Sequence, residues 1–246
     1  MNESIWLVLG LGFILGIKHA TEADHLVCVA TIVSEHRSVR RSAMIGALWG
    51  VGHTFSLLVA GVLVILLQFT IPARVAVQLE LAVALMIVLL GSRALYLSLR
   101  GQRFVHVHTH THRGRAHTHL HFHEPHDAHA IAEPHAKERA GHRLTGWRPL
   151  FVGVVHGLAG SAALTLLVLT EVARSGSDLL GLAYLLLFGV GSIGGMLLMS
   201  TAISLPFVFT ANRLGGVNVP IRIAAGIASV AFGIYYAWSI ALGNRL

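Results

Sequence analysis

Six long apolar runs set the tightest limit on what this chain can fold into. They lie near Ser4–Val33, Ala43–Phe69, Val75–Leu99, Pro149–Val172, Asp178–Phe209 and Val219–Leu242. Crossing a bilayer takes about 20 mainly apolar residues, and each run meets that length. Charged residues make up 12% of the chain, about half the share in an ordinary globular domain, too few to solvate a water-facing surface. The expected solvent is a lipid bilayer. Lipid cannot satisfy an open strand edge, and the alternation of a transmembrane barrel is missing, so all six runs are expected to be helices. The first and fifth are overlong, which predicts tilt, a break or an interfacial extension. One cysteine, Cys28, excludes an intrachain disulfide framework and a CxxC zinc site. No cleaved leader is expected, because MNES is not basic and no small-residue cleavage site follows.

Between the third and fourth runs lies a segment of another kind, residues 100–148, with twelve of the seventeen histidines and eight of the eighteen Lys and Arg residues. It has hardly any apolar clusters and is expected to be mostly disordered. The chain therefore divides into a first three-helix unit (1–99), the His-rich loop and a second three-helix unit (149–246). The formal charge of +7 could suggest nucleic acid, but the basic residues sit mostly between the apolar runs. Placing Arg37, Arg40, Arg41, the His-rich loop, Arg213 and Arg222 in the cytoplasm gives thirteen Lys/Arg there against three (Arg74, Arg174, Arg245) outside. The positive-inside rule then puts both termini outside and predicts no nucleic-acid partner.

The two halves echo each other. Gly16-Ile-Lys-His19 resembles Gly153-Val-Val-His156, and Gly50-Val-Gly-His53 resembles Gly189-Val-Gly-Ser192. Three helices per half is an odd number, so the halves are expected as inverted repeats, an arrangement common in secondary transporters.

The first run contains Lys18-His19-Ala20-Thr21-Glu22-Ala23-Asp24-His25 among Leu, Ile and Val. A charged residue costs about 2.5–3.5 kcal/mol at a helix centre, against about 0.3–0.6 gained per large apolar residue, so this helix inserts poorly alone. Its charges must face protein, water or a bound cation, and such residues mark a pathway. At about 100° per residue, a regular helix holds His19 and His25 about 120° apart, too far for one small ion. A 3₁₀ turn or a break would bring His19, Glu22 and His25 onto one face and free Asp24 to orient an imidazole from behind. Imidazole with carboxylate suits Ni²⁺, Co²⁺, Zn²⁺ or Cu²⁺ better than Mg²⁺. The bland alternative is a structural cluster pairing Lys18 with Glu22 or Asp24.

His53 in the second run and His156 in the fourth are further candidate ligands, each weighed against an ordinary buried core histidine. Gly153, Gly157 and Ser161 read as a close helix contact. Met196 and Met199 read as packing, and Cys28 stays open. In the loop, His106, His108, His110, His112, His117, His119, His121 and His123 alternate with other residues. Period two would place these imidazoles on one side of an extended strand, giving many weak sites for borderline metals. The function expected is a metal buffer, sensor or delivery arm, against a tolerated low-complexity linker.

His19-Ala-Thr-Glu22-Ala-Asp24-His25 resembles the H-x₄-D-H signature of the nickel/cobalt transporter family, and Gly52-His53-Thr54 resembles that family's second motif, GH[ST]. The resemblance implies metal recognition by His19, Asp24, His25 and His53. Glu22 stands where the family usually has Asp. The extra leading helix and the later motif of the longer members are missing, so the chain is closer to the short urease-accessory permeases or the His-rich exporters. The function expected is a secondary permease for Ni²⁺ and/or Co²⁺ in the cytoplasmic membrane, with uptake favoured over efflux. Its site would be His19, Glu22, Asp24, His25, His53 and His156 near the bilayer midplane. The metal is cargo rather than cofactor, and a cytoplasmic metallochaperone is a candidate partner. An organic-solute exporter of similar fold is a lesser alternative. A membrane metalloenzyme is disfavoured because no H-x₃-H or H-E-x-x-H motif lies in or near the runs.

Overall fold

The first apolar run folds as two helices, α1 (Asn2–His19) and α2 (Ala23–Val33), bent by 53° at a short break. At the break the hydrogen bonding tightens. Thr21 N–H donates to Lys18 O at 2.9 Å and Glu22 N–H to His19 O at 3.0 Å, both reaching back three residues instead of four. Thr21 Oγ1 also donates to Lys18 O at 2.6 Å, satisfying a carbonyl that the end of α1 leaves open. Glu22 is extended (φ −65°, ψ 150°) and caps the start of α2. The sequence expectation of a 3₁₀ turn or break here is met.

This computed structural model describes residues 2–67, 72–101, 105–112, 115–122, 147–159 and 177–243. After α2 come α3 (Val39–Leu67), α4 (Ala73–Gly101), strands β1 (Val105–His112) and β2 (Arg115–Phe122), helix α5 over 147–159, α6 (Asp178–Arg213) and α7 (Gly215–Gly243). Among the described residues, four helices and the bent α1–α2 pair are long and apolar enough to cross a membrane. α5 opens the fourth apolar run, and residues 160–172 of that run lie outside the described residues. Of the tilt, break or interfacial extension expected for the overlong fifth run, a break is not what forms. α6 continues for 36 residues through Pro206. Within the segment expected to be mostly disordered, β1 and β2 pair antiparallel, with His106, His108 and His110 in register with His121, His119 and His117. Residues 102–104, 113–114 and 123–146 of that segment lie outside the described residues.

Glycines set the helix packing, because a side chain at these positions would collide with a neighbouring backbone. α1 runs parallel to α6: a Cβ on Gly16 would overlap the Phe188 carbonyl oxygen and stand 2.9 Å from Ser192 N. α5 runs parallel to α3 in the same manner, a Cβ on Gly153 overlapping the Trp49 carbonyl oxygen and standing 2.9 Å from His53 N. The reverse contacts match as well. Gly191 faces Phe13 O and Ile17 N, and Gly52 faces Leu150 O and Val154 N. α3 and α6 are antiparallel, with Gly50 against Ile193 and Gly189 against Thr54, and α4 is antiparallel to α7 through Gly91, Ser229 and Gly226.

These directions bring the α2–α3 loop, the end of α4, the start of α5 and the α6–α7 junction to one end of the bundle. Arg37, Arg40, Arg41, Arg100, Arg148 and Arg213 lie at or near that end, where Arg93 pairs with Glu35. His36 is beside this pair. Burial, reinforced by Arg41, Arg93 and Arg222 against the opposing pull of Glu35, lowers its pKa from 6.5. The core between helices holds Cys28, Val29, Val33, Trp49, Ile87 and Met196, so Met196 is packing as expected. Phe55, Leu89, Leu198 and Trp238 instead stand exposed on the outer surface, as lipid permits.

Candidate metal centre

The break in the first run exposes the end of α1 and the start of α2 to the faces of α3 and α5, and four imidazoles gather there. His25, His53 and His156 are each no more than 1% exposed. The ring centroids of His19 and His25 are 4.6 Å apart, those of His25 and His156 4.2 Å, and those of His19 and His53 5.1 Å. Phe188 closes one side, 5.4 Å from His19, and Trp49 the other, 5.5 Å from His156.

Two carboxylates orient three of these rings. Asp24 Oδ1 accepts from His25 Nδ1 at 3.0 Å, and Asp24 Oδ2 accepts from His156 Nε2 at 2.9 Å. Glu22 Oε2 lies 2.9 Å from His19 Nδ1. Each carboxylate holds the proton of its imidazole on the near nitrogen and so turns a lone pair inward on the far one, an arrangement typical of metal-ligating histidines. The inward nitrogens His25 Nε2 and His156 Nδ1, with His53 Nδ1, are buried without a hydrogen-bond partner among the described residues. Such orphaned buried atoms cost about 1–3 kcal/mol each.

His19 Nε2 and His53 Nε2 stand 3.1 Å apart. Since Glu22 fixes the His19 proton on Nδ1, His53 Nε2–H is the donor when no ion is present. Two nitrogens bonded to one ion at about 2.0–2.1 Å are separated by about 2.9 Å at a right angle and about 3.3 Å at a tetrahedral angle. The observed spacing falls between these. Two groups could each hold an ion, His19–His25–His53 and Asp24–His25–His156, with their ligand atoms within 4.8 Å of one another.

The structure thus brings together all six sequence candidates, His19, Glu22, Asp24, His25, His53 and His156. Glu22 and Asp24 sit behind the imidazoles. Lys18 forms no ion pair among the described residues, and Glu22 and Asp24 are taken by histidines, so the purely structural Lys18 pairing is not what forms. Cys28 is buried and unpaired by any disulfide, and it joins neither ion-holding group. Sequence reasoning missed the walls, Trp49 and Phe188, and the buried Ser192. The signal for Ser192 was the match of Gly50-Val-Gly-His53 with Gly189-Val-Gly-Ser192, which makes it the counterpart of His53 in the second half.

The family described as NicO, high-affinity nickel-transport protein, matches residues 5–239. The chain is 37% identical over 243 residues to the urease accessory protein UreH of Bacillus sp. (strain TB-90), covering 97% of this chain and 94% of that relative. No solved structure matches. A polytopic helical bundle, a buried histidine cluster and these two matches agree, and the chain belongs to the NicO family of high-affinity nickel-transport proteins, membrane transporters rather than enzymes.

Proposed function

We propose that this chain is a secondary permease carrying Ni²⁺, and also Co²⁺, inward across the cytoplasmic membrane through the cluster of His19, His25, His53 and His156. The observation that carries the reading is the orphaned, inward-facing nitrogens of buried imidazoles whose outer nitrogens are held by Asp24 and Glu22. An apolar core has no use for such groups, whereas a borderline divalent cation satisfies them. Two carboxylates behind neutral imidazoles also balance the charge of one such ion. Cobalt enters the reading because the same donors suit it.

Inward movement is favoured by the relative's name, since an accessory protein of an enzyme supplies it. The same reading gives the chain a cytoplasmic metallochaperone as acceptor. Both termini are outside and the His-rich loop is cytoplasmic, in keeping with the arginines gathered at one end of the bundle. The loop histidines 106, 108, 110, 112, 117, 119, 121 and 123 act as an accessory buffer. Matched contacts between α1 and α6 and between α5 and α3 support two inverted three-helix repeats, whose relative movement would open the site to each side in turn. Binding displaces protons from the ligands, which permits proton exchange as a driving force.

The test is radioactive Ni²⁺ flux into proteoliposomes of known protein orientation under an imposed pH gradient. Saturable flux from the side of the termini to the side of the His-rich loop supports the reading. Flux only in the opposite sense assigns efflux, and no flux above protein-free vesicles rejects transport by the chain alone.

A further inference from the structure

We infer that Ser192 is a further ion ligand, forming with His156 a second resting position for the divalent ion beside the His19–His53 pair. This deepens the transport reading above and rests on it.

Packing supplies the first observation. Gly153 of α5 approaches the backbone of Trp49 and His53, and Gly16 of α1 approaches that of Phe188 and Ser192, with the same atoms and nearly the same distances. Ser192 therefore holds in α6 the place that His53 holds in α3. The aromatic walls repeat the relation: Phe188 lies 5.4 Å from His19 and Trp49 lies 5.5 Å from His156. His53 reaches His19, on the leading helix of its own half, at 3.1 Å. By the same relation Ser192 is presented to His156, on the leading helix of the second half.

Hydrogen bonding supplies the second. Hydroxyls inside these helices usually turn back to the carbonyl four residues earlier, as Thr31, Thr201 and Thr210 do at 2.7–2.8 Å. Ser192 is 0% exposed, and its Oγ has no hydrogen-bond partner among the described residues. His156 Nδ1 is likewise orphaned while its Nε2 is held by Asp24. Both atoms are buried and unpartnered among the described residues, and a cation shared between them would satisfy both.

The two candidate ligand groups supply the third, because both contain His25. One ion can occupy either group but not both, and His25 is the ligand it would keep while moving between them. The first position is all imidazole. The second has Asp24, His25 and His156, and the Ser192 hydroxyl would join them in the place that His53 holds in the first, as a weaker donor for Ni²⁺ or Co²⁺. An ion held at the second position is the one poised to leave.

The test uses the full chain in detergent, titrated with Co²⁺. Ser192→Cys should add a thiolate-to-cobalt charge-transfer band that is absent from the wild type, whose one thiol is Cys28. No such band in a variant that still shows cobalt d–d absorption overturns the assignment. Should that variant not fold, Ser192→Ala decides. Removing an unpartnered hydroxyl leaves folding intact, and Co²⁺ flux into proteoliposomes should fall roughly tenfold, the lower end of what lost ligand support costs, with equilibrium binding near wild type. Wild-type flux in Ser192→Ala overturns the second position alone. Absence of flux in the wild type would instead overturn the transport reading beneath it.

Discussion

His156 Nε2 donates to Asp24 Oδ2 at 2.9 Å, tying the fourth apolar run to the break in the first across 132 residues of chain. The other oxygen of the same carboxylate holds His25. Asp24→Asn keeps the size of the side chain but leaves one acceptor where two rings need one each. Co²⁺ affinity should fall about 10–100-fold, as it does when the groups behind metal-ligating histidines are lost. Competitive titration against a chromophoric chelator measures it. An unchanged affinity would show that the imidazoles hold their orientation without the carboxylate.

His53 contributes no carboxylate-anchored nitrogen and owes its place to the packing of α3 on α5. In a variant lacking residues 105–142, His53→Ala should still fold but bind Ni²⁺ more weakly, because the His19–His53 spacing of 3.1 Å is the part of the cluster best matched to one ion. Isothermal titration in detergent is the check. Equal affinities with and without His53 would return it to a packing role.

The same deletion of residues 105–142, made alone, should leave flux near normal at saturating Ni²⁺ and change it mainly at low Ni²⁺. A loop that concentrates ions matters only when they are scarce. Flux in proteoliposomes over a range of concentrations tests this, and loss of transport at every concentration would make the loop part of the pathway.

Matched glycines should fail in matched ways. Gly16→Ala and Gly153→Ala each force a Cβ against a carbonyl oxygen of the neighbouring helix, where no side chain can swing aside. Each should cost about 3 kcal/mol, the upper end for overpacking. Gly10→Ala and Gly194→Ala, with nothing within 4 Å among the described residues, should instead be neutral or gain up to about 1 kcal/mol in helix propensity. Thermal unfolding in detergent separates the two pairs.

His36 gives the arginine-rich end of the bundle an acid sensitivity. Its pKa is below 6.5 in the folded chain, mainly through burial, so the folded state binds its proton less readily than the unfolded state does. Its stabilising contribution is full above pH 6.5 and declines as pH falls from there through the folded value. His36→Gln should flatten this acid limb while leaving stability above pH 7 nearly unchanged, as read from denaturation midpoints across pH.

The break at Ala20–Glu22 could be read before any coordinates, because two imidazoles six residues apart cannot converge from a regular helix while desolvated ligands are costly to waste. The site residues were legible for the same reason: ionisable groups inside apolar runs have few places to go. Asp24 was legible as an orienting group, but its second partner, His156, depends on how α5 meets the break, and that is set by packing. Trp49 and Phe188 could not be singled out, since an aromatic residue in an apolar run looks like any other. The length of the fifth run left tilt, a break and an interfacial extension open, and α6 continues through Pro206, whose lost hydrogen bond did not outweigh the contacts of α6 with α1 and α3. In the His-rich segment period two announced extended stretches, but their antiparallel pairing as β1 and β2 was not read.

Synthesis adds a constraint of its own to the pairing of Asp24 with His156. Ribosomes add about 5–20 residues per second, so roughly 7–26 s pass between the appearance of Asp24 and that of His156. Throughout that interval the nascent chain has the earliest helices of the bundle but not the partner that completes their charged bend. α1 and α2 are made first and are among the last to settle. A translocation machinery that released this bent pair sideways into lipid too early would leave Asp24 without its second imidazole, so the order in which the chain emerges favours late release of its first span.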